Sequence, residues 1–139
     1  MDIEIQKQYI ELSYYTMMHS GPNFIHQHIV DAQIAQWADD KTQPISILFA
    51  LVGLYLYIEL GYTGWQVQKM HNVMAKYKME WPIIHLPDDR GKINVANVLD
   101  VSPGPERDQM IQKWCADVWK TYEKNRDTIL KVTSHYLAK

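Results

Sequence analysis

Between Pro44 and Leu60 the sequence places apolar side chains on every face of a helix rather than along one stripe. A helix of that kind must be surrounded by others. The pattern therefore predicts a central helix over 44–60, opened by Pro44 and stopped by Gly61. It falls short of the about 20 apolar residues that a membrane span needs and ends at Glu59, so no membrane association is expected. Gly53, midway along it, would admit a neighbouring helix or a large ring at close range.

The other elements read as its sheath. Ile5, Leu12, Thr16 and His19 share one side of a first helix running from Ile3 to about residue 20, with Tyr9 and Tyr15 on its flanks. Ser20-Gly21-Pro22-Asn23 turns the chain, and Asn23 is an N-cap candidate for a second helix over 24–37. Val30, Ile34 and Trp37 form its predicted inward stripe, with His26 on one edge, Gln27 and Asp31 towards the other, and His28 further round. Thr63 and Gln66 match a capping box that opens a fourth helix, running to about Lys78, with Val67, Met70, Met74 and Tyr77 inward and His71 beside them.

Residues 79–100 read as an irregular loop with a short helical turn capped by Asn94. Loops of that length are often functional or act as lids, and Trp81 and Ile83 are the residues that would tether this one. Beyond Pro105 a stripe of Ile111, Trp114, Cys115, Val118, Tyr122, Ile129, Val132 and Tyr136 predicts a long C-terminal helix. Unbroken to Leu137 it would reach about 45–50 Å, roughly twice the earlier helices. It must overhang the bundle, break near 124–127, or pack on a second subunit; a homodimer contact is favoured. The fold class expected is all-α, a bundle of about five helices around 44–60.

Composition narrows the function. At 139 residues, one domain over 1–139 is expected. A formal net charge of −2 with no Lys/Arg stripe argues against a nucleic-acid partner. The single cysteine, Cys115, rules out an intramolecular disulfide and a cysteine zinc cage, and its apolar helical setting reads as a buried structural thiol. The N-terminal residues lack an export pattern, so a cytoplasmic location is expected. Neither a nucleophile elbow nor a P-loop or Rossmann fingerprint occurs, and Asp117, Glu123 and Arg107 read as a solvated charge pattern.

Candidate chemistry lies with the histidines. His19 and His26 flank a tight turn, so their rings can converge at one end of the bundle, and His71 can join them from the fourth helix. Asp31 would orient an imidazole or supply a carboxylate. His26, His71 and Asp31 are thus the candidate catalytic residues, with a histidine titrating near neutral pH as general base. His19, Trp37 and Tyr55 are candidate ligand-binding residues. As a metal set, His19, His26, His71 and Asp31 would suit Zn, Ni, Mn or Fe. No spacing demands a metal, and His26 and His28 project about 200° apart on a helix. Three readings stay open: histidines that cap helix ends or bond carbonyls, a metal-free pocket for a small-molecule ligand, and a divalent metal site.

Several tracts taken together resemble a known family. They are Phe24-Ile25-His26-Gln27-His28-Ile29-Val30-Asp31-Ala32, Phe49-Ala50-Leu51-Val52-Gly53-Leu54-Tyr55-Leu56, and Gly61-Tyr62-Thr63-Gly64 with Gln66-Val67-Gln68. Weaker matches are Arg90-Gly91, Val95-Ala96-Asn97-Val98-Leu99, Pro103-Gly104 with Glu106-Arg107-Asp108, and Trp114 with Val118-Trp119. In that order they resemble an uncharacterised bacterial family, a domain of unknown function, over nearly the whole chain. The resemblance implies a bacterial cytoplasmic protein and brings no established activity. Some members carry a cysteine-bearing lead-in before the first helix that is not seen here, so a metal role for those cysteines does not transfer. Two function classes follow: a His-centred pocket that acts on or binds a ligand, and a non-catalytic module that dimerises through the C-terminal helix.

Overall fold

The computed structural model describes residues 2–19 and 21–138, and within them the chain is all-α, with seven α-helices and no strand. The helices are α1 (Ile3–Met18), α2 (His26–Trp37), α3 (Pro44–Leu60), α4 (Gly64–Lys76), α5 (Val95–Leu99), α6 (Pro105–Thr121) and α7 (Arg126–Leu137). No helix among the described residues is long and apolar enough to cross a membrane.

α3 is the axis that its composition predicts. Every residue from Ala50 to Leu54 is buried, because α2, α4, α6 and α7 pack around it. It ends at Gly61, which adopts the left-handed conformation at φ 71° and returns its N–H to Tyr57 O at 3.1 Å. α4 follows at once, opened by the Thr63–Gln66 capping box. Val67, Met70 and Met74 face inward as expected, whereas Tyr77 lies beyond the helix end and is exposed.

α2 departs from its predicted face. Val30, Ile34 and Trp37 are only half-buried, while Ile29, Ala32 and Ala35 are fully enclosed together with the polar His28, Asp31, Gln33 and Gln36. α2 is pressed between α3 and α6 and also touches α1 and α4. Short alanines on its inner face permit that approach, and the larger Val, Ile and Trp are turned to the rim. The helix also starts at His26, two residues late. Phe24 takes a positive φ of 45°, stacks on Trp65 with ring centroids 4.0 Å apart, and turns its carbonyl towards Gly64, where a Cβ would collide with it.

The long C-terminal helical stretch is present with all eight residues of its predicted stripe buried. A 3-10 turn at Glu123–Asn125 interrupts it. The interruption lets α6 pack on α2, α3 and α5 while α7 returns to α3 and α4. Of the three outcomes open to a helix of that length, the break is the one observed.

The irregular segment before α5 is pinned rather than loose. Asn125 accepts a hydrogen bond from His85 N and donates one to His85 O, each at 2.8 Å. Asp117 Oδ2 accepts from Lys92 N and Ile93 N at 2.6 and 2.8 Å. Arg90 Nη1 donates to Ala35 O and Gln36 O, both at 3.1 Å, satisfying carbonyls at the end of α2. Asp117 is therefore a backbone clamp and not part of a solvated charge pattern. Arg107 likewise donates to Val101 O and Leu99 O at the end of α5.

Candidate functional site

Two polar residues one turn apart on α2, His28 and Asp31, meet two residues one turn apart on α3, Tyr57 and Gly53. The helices run antiparallel, so His28 faces Tyr57 and Asp31 faces Gly53. This polar row lies between α2 and an α3 whose buried residues are otherwise all apolar.

Asp31 is 2% exposed. Gln27 Nε2 donates to its Oδ1 at 3.2 Å, one turn earlier on α2, while Oδ2 is buried without a hydrogen-bond partner among the described residues. A Cβ at Gly53 would overlap that carboxyl group, so the glycine is the space in which Asp31 sits. Burial raises the Asp31 pKa well above its ordinary 3.8, only partly offset by the Gln27 hydrogen bond, and so favours the neutral acid. Glycine in a helix interior costs about 1 kcal/mol relative to alanine, and an unsatisfied buried polar group about 1–3 kcal/mol more.

Asp31 lines a cavity of about 360 Å³ together with Gln27, Ile34, Ser46, Phe49 and His71. The half-buried His71 contributes Nε2, which lies 2.7 Å from Phe49 O. A carbonyl oxygen only accepts, so Nε2 carries the hydrogen and Nδ1 keeps its lone pair. Desolvation lowers the His71 pKa, with the Phe49 bond opposing, so the ring is neutral at physiological pH. A neutral carboxylic acid and a neutral imidazole thus line one largely apolar cavity.

The remaining candidates are dispersed. His28 is 3% exposed and its ring lies parallel to Tyr57, 3.5 Å between centroids and 5° between planes. Burial lowers its pKa from 6.5 to about 4, and its buried Nδ1 has no hydrogen-bond partner among the described residues. It lines a second cavity, of about 390 Å³, with His19 and Asp108. His19 is exposed, stacks on Tyr15, and directs Nδ1 to Tyr15 O at 2.8 Å. His26 lines neither cavity: its Nδ1 meets Thr16 Oγ1 at 2.9 Å, and since that hydroxyl donates to Ser13 O, the imidazole is the donor. Trp37 lines a third cavity beside Arg90, and Tyr55 packs near Trp119 with ring centroids 6.1 Å apart. Asp31 and His71 are brought together; His19, His26, Trp37 and Tyr55 are not. Among the described residues no group of three or more His, Cys, Asp or Glu is arranged to hold a metal ion.

Cys115 is fully buried on α6, its Sγ 3.6 Å from His28 O. Sequence reasoning missed the roles of Tyr57 and Asp108. The available signal was the register: once Gly53 is matched to Asp31, antiparallel pairing carries Tyr57 onto His28.

These features define a class, an all-α bundle with polar side chains buried between α2 and α3 and cavities opening beside them. Within that class the chain belongs to a family of unknown function (DUF5946), whose model matches residues 6–123. The match takes in Asp31, Gly53, Tyr57 and His71 and stops before α7. No curated protein and no solved structure matches the chain.

Proposed function

We propose that the chain is a single binding domain that takes a small, mainly apolar organic molecule in the Asp31–His71 cavity. Asp31 donates a hydrogen bond to an acceptor such as a carbonyl or ether oxygen, and His71 Nδ1 accepts one from the same molecule. A carboxyl shut away from solvent with Oδ2 unpartnered, on the wall of the cavity that His71 also lines, supports this reading most directly. The cavity falls at the lower end of the roughly 300–1,000 Å³ range of small-molecule sites. Acid and base held in their neutral forms are the states that general acid–base catalysis requires, so the same pair would serve proton transfer on a bound carbonyl compound.

Of the four metal candidates only Asp31 and His71 line this cavity, and a protonated carboxyl is a poor ligand for Zn, Ni, Mn or Fe. An organic ligand fits better. The test is a thermal-shift and ligand-observed NMR screen of small ketones, amides and alcohols, with elemental analysis of untagged protein alongside. At least one probe class should raise the melting temperature, and Asp31→Asn or His71→Gln should remove the effect. A screen without a hit, a hit indifferent to both substitutions, or stoichiometric metal lost on His71→Gln would each overturn the proposal.

A second reading is favoured by the apolar surface between the loop and α7. Met79 and Ile83 are 37% and 81% exposed beside a cavity of about 590 Å³ that also borders Thr128, Lys131 and Val132. Homodimerisation through this face would make the protein an interaction module. Light scattering decides: a dimer that dissociates in Ile83→Glu supports it, and a monomeric wild-type chain removes it.

A further inference from the structure

We propose that the second cavity, at the end of the bundle where α2 begins and α3 ends, is a separate site for a neutral polyhydroxylated molecule of about monosaccharide size. It lies beyond the Asp31–His71 pocket in both position and chemistry. Its walls come from the turn between α1 and α2, the start of α2, the end of α3, the turn into α4 and the first turns of α6, with His28, Tyr57, Tyr62, Asp108, Gln109 and Gln112 among them. Its volume of about 390 Å³ is comparable to the first, but its lining is richer in hydrogen-bonding groups.

Charge selects the ligand class. Among the described residues lining the cavity there is no Lys or Arg, so a phosphate or carboxylate would find no counter-charge. Asp108 is the only carboxylate there, and it is already engaged: Tyr15 OH donates to its Oδ1 at 2.8 Å, with the Arg107 guanidinium stacked 4.7 Å from the Tyr15 ring. The local field is therefore close to balanced, which removes the main attraction for an organic cation. What remains are primary amides that both donate and accept, phenols, one carboxylate edge and two aromatic rings, a set that satisfies neighbouring hydroxyls and packs against C–H faces. His28 strengthens the assignment. Buried, neutral and fixed by its stack on Tyr57, it lines the cavity as a rigid aromatic wall.

The experiment is chemical-shift mapping and saturation-transfer NMR on the full chain, with D-glucose and myo-inositol as neutral probes and inorganic phosphate and choline as charged ones. A neutral probe should perturb Tyr62, Gln109 and Gln112 together. Gln112→Ala, at an exposed position, and Asp108→Asn, which preserves an acceptor for Tyr15, should each weaken it about tenfold, the worth of one good hydrogen bond. Asp31→Asn should leave it unchanged, which separates this site from the first. Absence of perturbation by both neutral probes, preferential binding of phosphate or choline, or affinity unaffected by both substitutions would overturn the assignment.

Discussion

Replacing Gly53 with alanine tests whether α3 is shaped around the Asp31 carboxyl. In an ordinary helix interior the change stabilises by about 1 kcal/mol, because alanine loses less backbone entropy. Here the new methyl would overlap the Asp31 carboxyl and crowd Val67 Cγ1, which would lie 3.1 Å away. Overpacking of this kind costs about 1–3 kcal/mol, so Gly53→Ala alone should destabilise by up to about 2 kcal/mol. In an Asp31→Ala background the carboxyl is gone and only the Val67 crowding remains, which both backgrounds share. The helix-propensity gain should then reappear. A double-mutant cycle from urea melts should return a coupling of about 1–3 kcal/mol between positions 31 and 53. Coupling below about 0.5 kcal/mol, the level of independent sites, would refute the claim that Gly53 exists to house Asp31.

The protonation of Asp31 carries its own signature. Its folded pKa is raised, so its contribution to stability is complete below 3.8 and is lost as pH rises through the window between 3.8 and the folded value. Relative to Asp31→Asn, which cannot titrate, the wild type should lose about 1.4 kcal/mol per pH unit in that window; melts at several pH values that give a constant difference would contradict it. In the segment before α5, Asn125→Ala should cost about 1–3 kcal/mol by freeing both backbone groups of His85, and limited proteolysis should show faster cleavage within residues 79–94. Unchanged cleavage would mean that the segment is held by other contacts.

What could be read from the sequence was whatever local pattern alone decides. The apolar run 44–60 admits one interpretation in water, and the eight-residue stripe from Ile111 to Tyr136 keeps a helical period through the break, so both helices were legible. The Thr63–Gln66 box was too, because its partners are three residues apart. α2 was not. Its buried face combines alanines with His28, Asp31 and Gln36, and an apolar ranking points to Val30, Ile34 and Trp37 instead. Only the closeness of α3 decides between the two faces, and that closeness is a tertiary fact. The histidines at the start of α2 are a related case: the helix begins at His26, with Phe24 docked on Trp65, and His28 rather than His26 lines the second cavity, which no local pattern reveals. The loop clamps pair Asp117 with Lys92 and Asn125 with His85 across long separations, so Asp117 reads as solvated and Asn125 carries no signal from sequence alone.

The strongest reason to look for function between α2 and α3 is that packing gives no reason for its polarity. A buried acid or imidazole is tolerable structurally when its hydrogen bonds are all met, as with Gln36, which donates to Arg90 O and Ile93 O and accepts from Trp114. Asp31 and His28 differ, since each leaves one buried atom unmatched. Apolar residues at 28 and 31, with alanine at 53, would fill the same seam without desolvating an acid or an imidazole and without a mid-helix glycine. The chain instead sets each unmatched group on the wall of its own cavity, Asp31 with His71 and His28 with Tyr57. Residues with unmet hydrogen-bonding capacity that also line cavities, twice along one seam, are the arrangement expected where a ligand and a small side-chain shift complete the polar network.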